Sequence, residues 1–264
     1  MDSLRKRHDS RRPPRSGSTT VSVVIPVKDD ARPLERCLRD LSRQTRLADE
    51  VIVVDNGSVD DSAEVARRHG AIVVPEPRPG IPAAASTGYD AAAGTVIARC
   101  DADSRLPPDW LERVVAELDS ADAVTGSARF YDVPRRFRAF SRPLAVLYLG
   151  AYTLATGAAL GHAPLFGSNL GLRRSAWQDV RGEVHRDDPE LHDDLDLSIH
   201  LGVRHRIRRV PGMLVGISSR PFWNRDALRR RFRRGMRTIR LHWPEEYPPY
   251  RVARRVRTMR DAGA

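Results

Sequence analysis

The sequence is poor in cysteine, lysine and aromatic residues. Its two cysteines, Cys37 and Cys100, are too few for a disulfide framework or for a zinc site made of four cysteines. Lys6 and Lys28 are the only lysines among the 45 basic residues, so arginine supplies nearly all the positive charge. Hydrophobic residues make up 41% of the 264 residues, which is enough for a sizeable core and excludes a wholly disordered chain.

Positive charge is concentrated at the two ends of the chain. The formal net charge is +11, of which residues 1–18 contribute +4 and residues 220–264 contribute +10, so residues 19–219 carry −3. This distribution argues against a protein that binds nucleic acid over its whole surface. It fits a terminal patch that contacts phosphates or an anionic membrane, and it fits equally well a solvated surface rich in arginine.

Two segments bear on targeting and on membranes. Residues 1–19 are basic and rich in Ser and Pro without an apolar core, so we expect a disordered tail and no secretory signal. Residues 143–172 lack Asp, Glu, Lys and Arg and approach the length of a membrane span, but their glycines, threonines and alanines favour a buried or interfacial helix. We therefore expect a cytoplasmic protein, with the inner face of the membrane as the alternative.

The first half of the chain alternates between strand and helix patterns. Four apolar runs rich in β-branched residues predict buried strands, at 21–25, 51–54, 71–74 and 95–98. The first intervening stretch places four apolar residues on one helical face, Leu34, Cys37, Leu38 and Leu41. This alternation predicts an α/β fold with a mostly parallel sheet in a three-layer α/β/α sandwich, followed by a more helical half. Ligands of such sheets bind beyond the carboxyl ends of the strands.

Acidic residues follow two of these predicted strands. Asp101 and Asp103 come after the fourth strand, and two carboxylates at this spacing form a hard oxygen site for Mg²⁺ or Mn²⁺ shared with substrate phosphates. Asp55 ends the second strand, where its carboxylate can accept hydrogen bonds from a base or ribose, or can close a turn with Asn56 and Gly57. Either pattern alone is weak evidence, because Asp-x-Asp also occurs in ordinary solvated turns.

Four segments taken together, in this order and spacing, resemble family 2 glycosyltransferases of the GT-A fold. They are residues 21–30, 37–45, 49–58 and the triplet Asp101-Ala-Asp103. The resemblance implies a division into a nucleotide-sugar-binding half, an acceptor and catalytic-base half and a basic C-terminal helical segment, at 20–127, 128–220 and 221–264.

The resemblance also implies which residues bind the donor. Pro26, Val27 and Asp29 would line the nucleotide pocket, although this chain has Asp29-Asp30 where the family often has Asn-Glu. Asp55, with Asn56 beside it, would hold the edge of the nucleobase.

The metal and the diphosphate would lie at the fourth strand. Asp101 would face the ribose or the metal, and Asp103 would coordinate the Mn²⁺ or Mg²⁺ ion that bridges the diphosphate. Arg78 and Gly80 would lie on a loop over the donor, or belong to an ordinary proline-rich turn. Asn169 could hydrogen-bond the acceptor or the donor sugar, or could satisfy a turn.

Residues 187–196 contain six acidic residues. Like charges this close are unfavourable unless a metal, a proton or neighbouring arginines use them. The segment His192-Asp-Asp-Leu-Asp-Leu197 resembles the family's His-Glu-Asp-Leu-Asp-Leu, in which the second acid is the catalytic base. By position Asp194 would be that base, and Asp193 would stand where Glu is usual. The alternative is an acidic helix N-terminus stabilised by the helix dipole.

An arginine-rich segment, 229–243, predicts a surface helix near the C-terminus. Helical spacing would turn three apolar residues inward, Phe232, Met236 and Ile239. One of its arginines could reach the diphosphate, with Arg233, Arg234 and Arg237 as candidates, and His242 could join the metal site. Processive relatives carry Gln-x-x-Arg-Trp in a comparable region. Here Gly235 follows Arg234, which favours the addition of a single sugar.

The predicted function is an inverting, metal-dependent transfer of one sugar from a nucleoside-diphosphate sugar to a glycan, lipid-linked or small-molecule acceptor. An anionic membrane is a further possible partner, and nucleic acid is not expected. Two alternatives remain at this point. A nucleotidyltransferase would usually show a glycine-rich loop after its first strand, where this chain has Pro26-Val-Lys-Asp29. A non-catalytic protein would bind a membrane or nucleic acid through the basic termini, without a recognisable nucleic-acid-binding motif.

Overall fold

Seven strands form the central sheet of the computed structural model, which describes residues 19–133, 150, 154, 156–220, 224–244, 246, 249–251 and 253. In chain order the strands are β1 (Val21–Val27), β2 (Glu50–Asp55), β3 (Ile72–Pro75), β4 (Val96–Arg99), β5 (Ala123–Phe130), β6 (Leu170–Arg173) and β7 (Ile207–Ile217). Across the sheet they lie in the order β3-β2-β1-β4-β6-β5-β7.

The first half has the predicted alternation of strands and helices. Strands β1 to β4 are parallel, and the helices between them are α1 (Ala31–Leu41), α2 (Ser62–Arg68) and α3 (Ile81–Ala91). All four strands predicted from apolar runs are present. The carboxyl ends of these strands therefore meet at one edge of the sheet, as the sequence predicts for a ligand site.

The second half inserts one antiparallel strand. Strand β6 pairs antiparallel with both β4 and β5, whereas β5 and β7 are parallel. The helices of this half are α4 (Trp110–Glu117), which continues into a 3₁₀ turn, α5 (Arg174–Val180), α6 (Asp193–Arg204) and α7 (Arg225–Leu241). Because β6 runs against its neighbours, the turn that precedes it lies at the same edge as the carboxyl end of β4.

Apolar side chains cover both faces of the sheet and create the three layers. Val23 and Ile25 of β1 pack on one face with Leu34 of α1, while Val24 points to the other face and packs with Ala84 of α3. This alternation follows from the two-residue period of a strand. Helices α1 and α4 thus lie on one side of the sheet, and α3, α5 and α6 lie on the other.

Some sequence predictions lie outside the described residues. They include the disordered tail at 1–18 and most of the apolar part of 143–172. Within the described part of that segment, Leu160 and Leu165 are buried and Leu154 is exposed. Among the residues that the structure describes, no helix combines the length and the apolar character needed to cross a bilayer.

Candidate active site

The loops after β1 and β2 hold each other in place. Asp29 has a positive φ of 54°, and its Oδ1 accepts the N–H of Val59 at 2.7 Å, while its own N–H donates to Ser58 Oγ at 3.1 Å. Oδ1 of Asp55 accepts the N–H of Ser58 at 3.0 Å, which is the turn-closing contact. Pro26, half-buried, and Val27, buried, are the last two residues of β1 beneath these loops.

Asn56 positions the loop after β3. Its Nδ2 donates to the carbonyl oxygens of Glu76 at 2.9 Å and Arg78 at 2.6 Å, and its Oδ1 accepts the N–H of Gly80 at 2.8 Å. Both amide hydrogens are therefore used by the protein backbone. The structure gives Asn56 the role of fixing this loop, and a direct contact with the nucleotide stays a prediction.

Arg78 joins this loop to the acidic segment. Its guanidinium contacts the Glu76 carboxylate through Nε at 3.0 Å and Nη2 at 2.8 Å, and contacts Asp187 Oδ1 through Nη1 at 2.8 Å. These hydrogen bonds from Arg78, with another from Thr87, lower the pKa of Glu76 to about 2. Gly80 has φ 111°, and a Cβ there would lie 2.7 Å from Pro189 Cβ, so only glycine allows this close approach.

Several carboxylates lie close together at the carboxyl end of β4. Asp101 accepts a hydrogen bond from the hydroxyl of Ser168. Asp103 Oδ2 lies 3.2 Å from Nη2 of Arg220, which is also 3.5 Å from Asp30 Oδ1. Burial, together with the charges of Asp101 and Asp30, raises the pKa of Asp103 to about 6 despite Arg220. A partly buried site with this excess of carboxylate oxygens is suited to a divalent cation.

Arg99 is a buried cation at the centre of the site. Its Nη1 contacts the Asp193 carboxylate and lies 3.3 Å from the hydroxyl of Tyr89, while its Nη2 lies 3.6 Å from Asp101 Oδ1. A Cβ at position 167 would lie 2.9 Å from this guanidinium, so any residue larger than Gly167 would clash with Arg99. Arg99 therefore links the carboxylate pair after β4 to the pair at the start of α6.

Asp194 is buried and its carboxylate is fixed from two sides. Oδ1 lies 2.9 Å from His192 Nδ1, and Oδ2 accepts the N–H of Gly167 at 2.9 Å. Burial alone would raise the pKa of Asp194, but the neighbouring His192 and these hydrogen bonds lower the pKa to about 2. The carboxyl group is therefore ionised at neutral pH and able to accept a proton.

One pocket of about 130 Å³ brings these groups together. Both acids of the β4 end, Asp101 and Asp103, line it together with Asp193 and Asp194 at the start of α6. This juxtaposition depends on the fold, since about ninety residues separate the two pairs in the sequence. The arginine of α7 that lines the pocket is Arg231.

All six acids of residues 187–196 have basic partners. Arg78 pairs with Asp187, Arg237 with Asp188, Arg233 and Arg234 with Glu190, Arg99 with Asp193, His192 with Asp194, and three histidines with Asp196. Arginines and histidines thus offset the repulsion that the sequence predicts. Arg234 lies 2.9 Å from Glu190 through Nη2, and its expected contact with a diphosphate stays a prediction.

Three sequence expectations differ from the structure. Asn169 has no exposed surface. Its Oδ1 accepts a hydrogen bond from Trp110 Nε1, and its Nδ2 donates to the carbonyl oxygens of Ser127 and Met213. Asn169 therefore packs β6 against its neighbours and does not face donor or acceptor. Phe232 is 73% exposed instead of packed inward. His242 lies 3.2 Å from Asp196 Oδ1, in a separate histidine cluster, instead of beside Asp103.

Sequence reasoning missed several residues of the site. Arg99, Ser168 and Arg220 contact or line the pocket, and none of them was predicted to have a role. Arg231 lies in the arginine-rich segment 229–243, but the predicted phosphate contacts were other arginines of that segment. Arg99 left one signal, because a charged residue at the end of an apolar strand, directly before two acids, needs a nearby counter-charge. Ser168 and Arg220 come from distant parts of the chain, and no local pattern indicates their contacts with the acids after β4.

Comparisons with known proteins agree with this architecture. The family model described as Glycosyl transferase family 2 matches residues 22–180, which is more than half of the chain. The chain belongs to this family. Its mostly parallel sheet with one antiparallel strand is the GT-A fold, as the sequence resemblance implied.

The relatives match this chain over less than half of its length. An uncharacterised glycosyltransferase of Mycobacterium tuberculosis is 44% identical over 110 residues, which cover 41% of this chain and 49% of the relative. Glycosyltransferase AglE of Haloferax volcanii is 35% identical over 120 residues, which cover 42% of this chain and 40% of AglE. The matched part is thus half or less of each relative.

Solved structures show the same fold at low sequence identity. S. aureus TarS, residues 1–349, superposes with a TM-score of 0.57 at 15% identity, over 77% of this chain and 62% of the TarS chain. Glucosyl-3-phosphoglycerate synthase from M. tuberculosis, in complex with Mn²⁺, UDP and glucosyl-3-phosphoglycerate, superposes with a TM-score of 0.52 at 22% identity, over 76% of this chain and 71% of the synthase.

Proposed function

We propose that this glycosyltransferase moves one sugar from a nucleoside-diphosphate sugar to an acceptor hydroxyl, with inversion at the anomeric carbon and with a divalent metal ion. The observation that carries the proposal is the pocket that Asp101, Asp103 and Asp194 line together. A metal site for a diphosphate and an ionised carboxylate in one pocket match the two ends of a glycosyl-transfer reaction.

The residues around Asp103 fit a divalent ion. Asp101 and Asp103 would hold Mn²⁺ or Mg²⁺, for which carboxylate oxygens are the preferred ligands. When bound, the ion supplies positive charge that stabilises the leaving diphosphate. Arg220, which lies against Asp103 and Asp30, would contact the phosphate oxygens of the bound donor. The manganese in the glucosyl-3-phosphoglycerate synthase complex supports this choice of ion.

The donor would lie across the carboxyl ends of β1, β2 and β4. Pro26, Val27 and Asp29 form the floor, Asp55 is placed to accept hydrogen bonds from the base, and the loop with Arg78 and Gly80 covers the nucleotide. Asn56 contributes by fixing this loop through its backbone contacts.

Asp194 would act as the general base. The acceptor hydroxyl attacks the anomeric carbon from the face opposite the diphosphate, and the bond from that carbon to the phosphate oxygen breaks with its electron pair going to the diphosphate. As the new bond forms, the hydroxyl becomes acidic and its proton passes to Asp194. His192 and the Gly167 N–H hold the carboxylate in place, which limits its motion during attack. A single displacement without an enzyme nucleophile inverts the configuration.

We further propose that the acceptor is lipid-linked and that helix α7 contacts an anionic membrane surface. Phe232 is 73% exposed on this helix between Arg231 and Arg233, and Leu228 is 42% exposed one turn away. Exposed apolar residues among arginines are typical of helices that bind the membrane interface.

A relative from Pseudomonas fluorescens supports the acceptor class. It is an undecaprenyl-phosphate 4-deoxy-4-formamido-L-arabinose transferase, 34% identical over 119 residues, covering 41% of this chain and 35% of the relative.

Two measurements test the reaction. A panel of nucleotide sugars, each with and without Mn²⁺, should contain a donor that raises the melting temperature only when Mn²⁺ is present. With that donor, product formed on a hydroxyl of a lipid-linked sugar should have the inverted anomeric configuration by NMR. A retained configuration would exclude the single displacement, and the absence of any stabilising nucleotide sugar would exclude the donor class.

Membrane contact is tested separately by co-sedimentation with vesicles. Vesicles of phosphatidylglycerol and phosphatidylcholine should bind the protein, vesicles of phosphatidylcholine alone should bind it weakly, and Phe232→Ser should weaken binding. The matched control is Val59→Ser, because Val59 is also exposed, at 94%, but lies in the loop after β2. Equal binding of Phe232→Ser and the wild type would contradict the assignment of α7 as the membrane face.

A further inference from the structure

Three histidines and one aspartate meet outside the pocket. His185 lies in the segment before α6, Asp196 and His200 lie on α6, and His242 directly follows α7. One ligand atom from each lies within 4.8 Å of the other three. From Asp196 Oδ1 the distances are 2.9 Å to His185 Nδ1, 3.2 Å to His242 Nε2 and 3.7 Å to His200 Nε2.

Partners on the far side of two imidazole rings fix which nitrogen faces the centre. His242 Nδ1 lies 2.7 Å from the carbonyl oxygen of Thr238, which can only accept, so Nδ1 carries a hydrogen and donates it. His200 Nδ1 lies 3.4 Å from Glu183 Oε2, also an acceptor. The neutral rings therefore present unprotonated Nε2 atoms to the centre, which is the arrangement that second-shell acceptors give to metal-binding histidines.

These nitrogens are also close to each other. Nε2 of His200 and Nε2 of His242 are 3.2 Å apart, and both face the Asp196 carboxylate. Lone pairs that face one another repel unless a positive charge lies between them. A metal ion or a proton at the centre removes this repulsion.

The spacing matches a tetrahedral ion. Zinc bonds of about 2.0–2.1 Å to imidazole nitrogen and carboxylate oxygen imply about 3.3 Å between neighbouring ligand atoms. Four of the six distances between the ligand atoms, 2.9, 3.2, 3.2 and 3.7 Å, lie on both sides of that value. The other two, from His185 to His200 and to His242, are at most 4.8 Å. We propose that His185, Asp196, His200 and His242 bind a structural zinc ion, separate from the ion of Asp101 and Asp103. Three imidazoles favour zinc over Mg²⁺ or Mn²⁺, which prefer oxygen ligands.

Burial indicates a structural site with access from one side. The side chains of Asp196 and His242 are 5% and 6% exposed, whereas that of His185 is 39% exposed. Four protein ligands fill a tetrahedral coordination shell and leave no position for a substrate. The ion enters past His185 and is then enclosed.

The ion would fasten helix α7 to the body of the enzyme. Thr238 is the only buried residue among those described in α7, so apolar packing alone holds this helix weakly. Yet α7 supplies Arg231 to the pocket wall, and its Thr238 hydroxyl accepts the N–H of His192 at 2.9 Å. A zinc ion shared by α6 and the end of α7 fixes the helix beside the catalytic carboxylate.

The test is metal content together with stability. Purified full-length protein, washed with EDTA and reloaded with ZnCl₂, should retain about one zinc per chain by mass spectrometry after gel filtration. Co²⁺ in its place should give the intense visible absorption of a tetrahedral site. Zinc should raise the melting temperature and slow tryptic cleavage within α7. His200→Gln and His242→Gln should each weaken zinc binding by at least about 100-fold.

Matched variants assign the metal to this site. His205→Gln changes a half-buried histidine outside the cluster and should keep the zinc, and the double variant Asp101→Asn/Asp103→Asn should keep it as well. Mn²⁺-dependent binding of a nucleoside diphosphate shows that the His200 and His242 variants are folded and separates this test from that of the proposed reaction. A wild-type protein without stoichiometric zinc and without a tetrahedral Co²⁺ spectrum would overturn the proposal. So would stoichiometric copper, nickel or iron, or zinc that is lost only in the Asp101/Asp103 variant.

Discussion

His192 Nδ1 lies 2.9 Å from Asp194 Oδ1, across the first turn of helix α6. The same carboxylate accepts the Gly167 N–H through its other oxygen, so two protein groups fix its plane. His192 is itself held by α7, because its N–H donates to the hydroxyl of Thr238 at 2.9 Å. The orientation of the proposed base therefore depends on groups from two helices and from the turn before β6.

The first prediction concerns the base. Asp194→Asn keeps an oxygen for the Gly167 N–H but cannot take a proton from the acceptor. We expect kcat for sugar transfer to fall by about 10²–10⁴-fold, the usual loss for a general base. Donor binding should change little, because Asp194 is not among the residues proposed to hold the metal or the nucleotide. Steady-state transfer kinetics measure kcat, and thermal shift with donor and Mn²⁺ measures binding.

Asp109→Asn is the control for this change. Asp109 pairs with Arg113 at the surface and lies at the start of α4, so its variant should retain wild-type kcat. His192→Gln should lower kcat less than Asp194→Asn, since it removes only the support of the base. Wild-type transfer by Asp194→Asn would show that another group accepts the proton.

The second prediction concerns Arg220. This exposed guanidinium lies 3.2 Å from Asp103 and 3.5 Å from Asp30, and we propose that it contacts the diphosphate once the metal is bound. Arg220→Gln should therefore raise KM for the nucleotide sugar by roughly 10-fold, the effect of losing a charge-assisted hydrogen bond. Arg39→Gln, which removes an exposed arginine paired with Glu35, should leave KM unchanged. Equal KM values for both variants would exclude the phosphate contact.

Local sequence patterns were sufficient for the donor half of the fold. Strands β1, β2 and β4 are short apolar runs that are largely buried, whereas β3, at the edge of the sheet, is a β-branched run that is partly exposed. Helix α1 shows its buried face as Leu34, Cys37 and Leu38. Because parallel strands bring their carboxyl ends to one edge, the relative position of Asp55 and Asp101 also followed from the sequence. Asp194 was found through its motif and its position in the chain.

Contacts between distant segments could not be predicted in this way. Helical spacing suggested that Phe232 packs inward, yet the face of α7 that meets the protein is chosen by Thr238 and Ile239. Asp196 and His200 are four residues apart and share one face of α6, which was a local signal for a metal pair. No local pattern indicates that His185 and His242 complete it, because both come from other segments.

The third prediction is a pH dependence of stability from Glu76. Its folded pKa is about 2, against an ordinary value of 4.5, because Arg78 and Thr87 donate hydrogen bonds to it. A lowered folded pKa stabilises the protein above pH 4.5, and this contribution is lost as the pH falls towards 2. Since Arg78 is 46% exposed, solvent screening reduces the contribution to on the order of 1 kcal/mol.

Urea unfolding of Glu76→Gln and the wild type measures this contribution. The difference in unfolding free energy should be largest at neutral pH and should shrink below pH 4.5. Glu35→Gln removes an exposed i,i+4 pair with Arg39 and should show a smaller difference at every pH. A difference for Glu76→Gln that stays constant down to about pH 3.5 would mean that its ionisation does not stabilise the fold.

The fourth prediction separates packing from substrate binding at Asn169. Its buried amide satisfies Trp110 Nε1, Ser127 O and Met213 O, so Asn169→Ala leaves three buried polar atoms without this partner. We expect the free energy of unfolding to fall by about 2–4 kcal/mol, with KM values for donor and acceptor unchanged in the folded protein.

Asn224→Ala, which removes the exposed cap of α7, should destabilise by only about 1 kcal/mol. Urea unfolding and steady-state kinetics at a temperature where the variant is folded give both quantities. A raised KM with an unchanged free energy of unfolding would instead show that Asn169 contacts the substrate. A packing role predicts lower stability with an unchanged KM.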